Sequence, residues 1–181
     1  MMKKATLLFR LAGGILLLSL FAAPAPAEPG RSSESPAAPA AKEAAGRRDI
    51  LVEIFLAPER KNEADAVKKE FEALSITKVR PQVFRKGHPP QNIGFGKEIP
   101  ADVARQAIQL ALKYNDGIQF LLPEKRLAAH YIGIGVSIFD EAFQIPVGPE
   151  ELKRISDPSL TDDQFHQLYR EMTDKPPRIN R

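Results

Sequence analysis

The chain has 181 residues, 26 basic and 23 acidic side chains, a formal charge of +3 and no cysteine. The absent thiols exclude a disulfide framework, a thiolate metal centre and a lipid-modified N-terminal cysteine, so the fold must be held by its core. The excess charge excludes less than it suggests: Lys3, Lys4 and Arg10 supply all of it, no acid precedes Glu28, and residues 28–181 carry 23 charges of each sign. A neutral chain beyond that point argues against a nucleic-acid partner.

The same three cations precede Leu11–Ala23, a run of thirteen mostly apolar residues, and Ala25-Pro26-Ala27 offers a small-x-small cleavage site. Residues 1–27 therefore read as a signal peptide, and the protein as exported to a periplasm or secreted. The run is shorter than the roughly 20 residues a spanning helix needs. Arg10 closes one end and Pro24 and Pro26 the other, so no integral membrane segment is expected after cleavage. Residues 28–48 are Ala, Pro, Ser, Gly and scattered charge, which cannot bury enough surface to offset ordering entropy, so a flexible linker is expected.

A globular domain is expected over 49–174. Ile50–Leu56 alternates Ile50, Val52, Ile54 and Leu56 against Leu51, Glu53 and Phe55, the pattern of a central strand with unequal faces. Asn62 is placed as the cap of a helix whose stripe is Val67, Phe71 and Leu74. Lys78–Arg85 is a strand, and Pro81 with its basic neighbours places it at a sheet edge. A turn at Gly87–Pro90 leads to a strand over Asn92–Gly96. Pro100 then opens a helix with Val103, Ala107, Leu110 and Tyr114 on one face, and Asn115-Asp116-Gly117 ends it. Strands follow at Ile118–Leu122 and Tyr131–Phe139. The order is βαββαβ with one extra C-terminal strand, an α+β class that matches the ferredoxin-like arrangement, in which the second strand also lies at an edge. That likeness is topological and carries no function. Pro149–Ile155 is a short helix, Thr161–Gln164 is a capping box opening a last amphipathic helix, and residues 175–181 form a frayed tail.

Chemical signatures are sparse. His88, His130 and His166 lack ligand partners at helical or hairpin spacing, so no metal is expected; His166 reads as an exposed position on the last helix. Gly133-Ile134-Gly135-Val136-Ser137 lacks the glycine after serine that a nucleophile elbow needs. Gly94-Phe95-Gly96 lacks a phosphate loop's Gly-Lys-Ser/Thr ending, and no cofactor is expected. Paired carboxylates leave no spacing rule, which makes Glu53, mid-strand on the mixed face, and Asp140 and Glu141 after the last strand the catalytic candidates.

Two surfaces are candidate binding sites. Lys78, Arg80, Arg85 and Lys86 form the one basic cluster, and residues 150–174, with seven acids against three bases, are an internal candidate to dock on it. Gly133 and Gly135 leave one face of the last strand bare, and with Gly94 and Gly96 on the same side that surface would let a ligand, a peptide or the C-terminal helix approach closely; the helix is the favoured cover. The expected function is an exported, non-enzymatic envelope or secreted protein that binds another protein; the alternatives are a periplasmic hydrolase using paired carboxylates and a small-ligand sensor. An envelope protein is the expected partner.

Overall fold

In the computed structural model, which describes residues 46–85, 87–137 and 143–174, the first alternating segment is strand β1 (Leu51–Leu56). Its Val52, Ile54 and Leu56 are fully buried, and its Leu51, Glu53 and Phe55 half-buried. There follow α1 (Ala64–Glu72), β2 (Lys78–Val83), β3 (Asn92–Phe95), α2 (Ala101–Tyr114), β4 (Phe120–Leu121), β5 (Tyr131–Ile134), β6 (Ile145–Pro146), α3 (Pro149–Ile155) and α4 (Asp162–Thr173). The class is mixed α+β, and the strands form one mixed sheet in the order β2-β1-β5-β3-β4-β6.

That order is not the ferredoxin-like one. The units β1-α1-β2 and β3-α2-β4 each join adjacent parallel strands, where a split unit would leave a gap for another strand. β5 instead lies between the two units, parallel to β1 and antiparallel to β3. The fully buried Ile132 and Ile134 explain the central place of a strand that comes late in the chain. Helical crossovers of this length serve either topology, so element order alone does not distinguish them.

β2 does take an edge. The N–H of Phe84 donates to the Leu56 carbonyl at 2.8 Å, so by strand alternation the backbone groups of Lys78, Arg80 and Gln82 face β1. Those of Val79, Pro81 and Val83 face outward. Pro81 therefore lacks its N–H where no ladder partner exists, and it interrupts the row of donors that another strand would need.

Register places Val52, Ile54, Val79, Ile132, Ile134, Ile93, Phe95 and Leu121 on one sheet face. All four helices cover that face. Val67 and Phe71 of α1, Val103 and Ile108 of α2, Ile155 of α3, and Phe165 and Tyr169 of α4 share its core. The Tyr114 hydroxyl of α2 donates to Glu70 of α1 at 2.7 Å, and Phe95 meets Phe165 and Tyr169 edge-on at 5.6 and 5.4 Å. The C-terminal helix thus does not cover the glycine face as expected: its stripe finds the aromatic end of β3 on the helical side.

Local signals fared unevenly. Thr161 and Gln164 exchange both bonds of the capping box, at 3.0 and 3.3 Å. Asp162 Oδ1 also accepts the Ala101 N–H at 2.7 Å, so the start of α4 caps the start of α2, where Pro100 occupies the N-cap. Asn62 is no cap. Pro58 begins a 3₁₀ turn over Pro58–Glu63 that runs straight into α1, leaving no extended residue to cap from.

β5 stops at Ile134 because Gly135 adopts a left-handed φ of 67°. The Asn92 side chain then replaces a strand partner: its Oδ1 accepts the Val136 N–H at 3.0 Å and its Nδ2 donates to the Val136 carbonyl at 2.9 Å. Residues 46–48 form a helical turn, and Arg47 pairs with Asp102 at 2.6 Å. The signal peptide, the linker up to residue 45 and the tail at 175–181 lie outside the described residues. Among the described residues no helix is long and apolar enough to cross a membrane.

Candidate functional site

With the helices on one side, the opposite face can be mapped by register. Lys78, Leu51 and Tyr131 share one row, Arg80, Glu53, Gly133 and Gly94 the next, and Gln82 and Phe55 the third. The face divides into a covered half and an open half.

The covered half lies over β3. A Cβ at Gly94 would stand 2.8 Å from the Leu122 and Leu127 side chains, and one at Gly96 only 1.9 Å from the Ala128 carbonyl oxygen. These glycines admit the chain's own segment Leu122–Ala129. That segment is bonded at both ends, Leu122 N–H to the Ile93 carbonyl at 2.9 Å and Glu98 N–H to the Ala129 carbonyl at 3.0 Å.

The same segment carries a buried polar cluster. Glu124 Oε2 lies 2.8 Å from His166 Nδ1, its Oε1 accepts from Arg170 at 3.2 Å, and His166 Nε2 lies 2.8 Å from the Ile99 carbonyl oxygen. Both ring nitrogens thus lie within hydrogen-bond reach of an oxygen. The Tyr169 hydroxyl donates to the Leu122 carbonyl at 2.6 Å. His166 is 6% exposed, which corrects its expected place at the surface. A signal existed in the spacing: His166, Tyr169 and Thr173 recur at i, i+3 and i+7, and all three are buried.

The open half spans β2, β1 and β5. The Tyr131 hydroxyl donates to Glu53 Oε2 at 2.9 Å, and its ring lies over Gly133, whose Cβ would stand 2.9 Å from Cε1. Burial, then the bond to Glu53, raises the phenol pKa well above its ordinary value, so Tyr131 is an O–H donor. On the other side Arg80 Nη1 stands 3.6 Å from Glu53 Oε1. A phenol and a guanidinium thus account for the carboxylate that looked out of place in a strand. They give it an anchoring role across three strands, and no described contact brings it a second carboxyl. Asp140 and Glu141 lie outside the described residues, as does Lys86.

Gly133 is accounted for by the Tyr131 ring. Gly135 is accounted for by its left-handed backbone, with Pro89 and Asn115 packed where a side chain would go. Lys78 donates to Asp49 at 3.0 Å, a bond that holds the Asp49 carboxyl below its usual pKa. Arg85 is exposed beyond β2, and Phe55 and Phe84 pack edge-on at 6.2 Å beside Arg80's strand. The acidic segment 150–174 is not docked on these bases. Its Arg170 and Asp174 instead engage Glu124 and Lys125, in the 3₁₀ turn between β4 and β5.

Clefts among the described residues lie elsewhere. One, of about 480 Å³, is lined by Arg47, Glu98, Asp102, Arg105, His130 and Asp162 among others. Its charges are largely engaged with one another: Arg47 with Asp102, and His130 with Glu98 at 3.0 Å. The other, of about 340 Å³, is a shallow groove between α3 and α4 around Leu160 and Leu168. Among the described residues no group of three or more His, Asp or Glu could hold a metal ion. Comparison with models of known families, with curated proteins and with solved structures finds no match to this chain.

Proposed function

We propose that this chain is an exported, non-enzymatic protein whose domain binds another protein of the cell envelope through the β2-β1-β5 half of the helix-free sheet face. One observation carries the reading. Leu51, Phe55, Phe84 and Tyr131 stay half-exposed on a face that no described helix covers, around a Glu53 whose contacts are structural. Apolar groups gathered beside a polar rim mark interaction surfaces. Pro81 directs the contact to side chains rather than to strand addition.

A photo-crosslinking residue at Gln82, exposed on this face, is compared with one at Leu112, 44% exposed on the helical layer. Discrete adducts with envelope proteins from position 82 and none from 112 are expected. No adducts, or the same adducts from both positions, would reject the reading.

A further inference from the structure

We infer that the peptide bond between Asp116 and Gly117 is a site of covalent modification, where the Asp116 side chain closes on the Gly117 nitrogen and the main chain reopens as isoaspartate. Asp-Gly occurs once in the chain. It stands just past α2, whose cap is Asn115, and both residues hold a positive φ, 54° at Asp116 and 113° at Gly117. Glycine takes such a backbone freely, and aspartate more readily than most residues.

Three features open this bond to its own side chain. Gly117 has no side chain to bar the approach, and a Cβ built there would meet nothing within 4 Å. Its N–H makes no hydrogen bond among the described residues. The Asp116 carboxyl is 53% exposed, and Arg60 and His88 stand 3.7 Å from it, beyond hydrogen-bond reach, so the group can turn. Asp49 and Asp157, also in exposed connections, lack the combination. Asp49 precedes Ile50, which is β-branched and whose N–H is bonded to the Arg47 carbonyl. Asp157 precedes Pro158, which has no N–H, and its carboxyl is held by Ser159 at 2.7 and 2.9 Å.

The reaction needs only water. The Gly117 nitrogen loses its proton and bonds to Asp116 Cγ, and the carboxyl hydroxyl leaves as water. The five-membered imide then takes a water back. Entry at Cγ restores aspartate; entry at the former main-chain carbonyl leaves that carbon as a carboxylate and routes the chain through Cβ and Cγ. One water departs and one returns, so the mass is unchanged. The Asp116 carbonyl accepts from Gln91 Nε2 at 2.8 Å, and Asn115 Nδ2 donates to the Pro90 carbonyl at 2.9 Å. The product therefore lengthens the link from α2 to β4 by a methylene and disturbs its tie to residues 90–91.

The test is tryptic mapping of the full chain after several weeks at physiological pH and temperature, read with a protein-isoaspartate methyltransferase and labelled S-adenosylmethionine. A second form of the peptide spanning residues 114–125, unchanged in mass, should appear and accept label several-fold more than any other aspartyl peptide. Asp116→Asn keeps a residue that tolerates positive φ. It should pass through the same imide faster, with loss of ammonia, and give the same labelled peptide. Asp116→Glu, whose ring would have six members, should lose the label; if it fails to fold, the Asn variant decides alone. Absence of label from this peptide in the aged chain overturns the inference. So does label that persists in Asp116→Glu, or an Asn variant that stays unlabelled, or a mass gain that places the change at Asn115 instead.

Discussion

Phe95→Ala should lower the free energy of unfolding by about 3–5 kcal/mol, read from the midpoint and slope of urea denaturation. Phe95 is fully buried at the end of β3 and meets Phe165 and Tyr169 edge-on, while those two rings stack on each other at 5.9 Å. Truncation removes the ring that holds α4 to the sheet. Little can move in to fill the space, because neighbouring Gly96 is pressed against the Ala128 carbonyl. Each aromatic pair adds about 0.5–1.5 kcal/mol beyond the area it buries, so the loss should fall in the upper part of the range. A change under about 1 kcal/mol would contradict the packing of α4 on the helical face.

Glu124→Ala is expected to cost about 3–5 kcal/mol, the usual result of removing one partner from a buried charged cluster. The side chains of Glu124 and His166 are 10% and 8% exposed, and Arg170, at 48%, sits at the wet end. Alanine leaves His166 one acceptor, the Ile99 carbonyl, and removes the pin on the segment that covers Gly94 and Gly96. Glu124→Gln keeps an acceptor for one of the two donors and should recover part of the loss. In a double-mutant cycle with His166→Ala, the coupling should exceed about 1 kcal/mol. A Glu124→Ala cost below about 0.5 kcal/mol, the scale of an ordinary surface substitution, would show that the cluster does not hold the segment.

What the sequence disclosed depended on whether the signal was local. Alternation in β1, the edge place of β2 and the Thr161–Gln164 box rest on short-range chemistry, and the structure has all three. The neighbours of β5 did not follow, because its insertion between β1 and β3 is a long-range choice that leaves the element order unchanged. The role of the glycines was half legible. Gly94 and Gly96 do mark a close approach, but it is made by a segment about thirty residues onward rather than by a ligand or a helix. Glu53, a catalytic candidate from the sequence, has Tyr131 and Arg80 as partners, and only the register brings these two to it. The burial of His166 could be read from its spacing with Tyr169 and Thr173, but its partners, Glu124 and Ile99, lie on segments that no spacing rule connects to α4.

The helices gather on one face of the sheet and leave the β2-β1-β5 half of the other exposed. Hydroxyl-radical footprinting of the full chain tests it most directly, because aromatic side chains report on both faces in one experiment. Phe55, Phe84 and Tyr131 should be oxidised several times faster than Phe95, Phe165 and Tyr169, which are at most 2% exposed and lie under α4. Protection of Phe55 and Phe84 equal to that of Phe95 would contradict the claim, since that half of the sheet would then be covered.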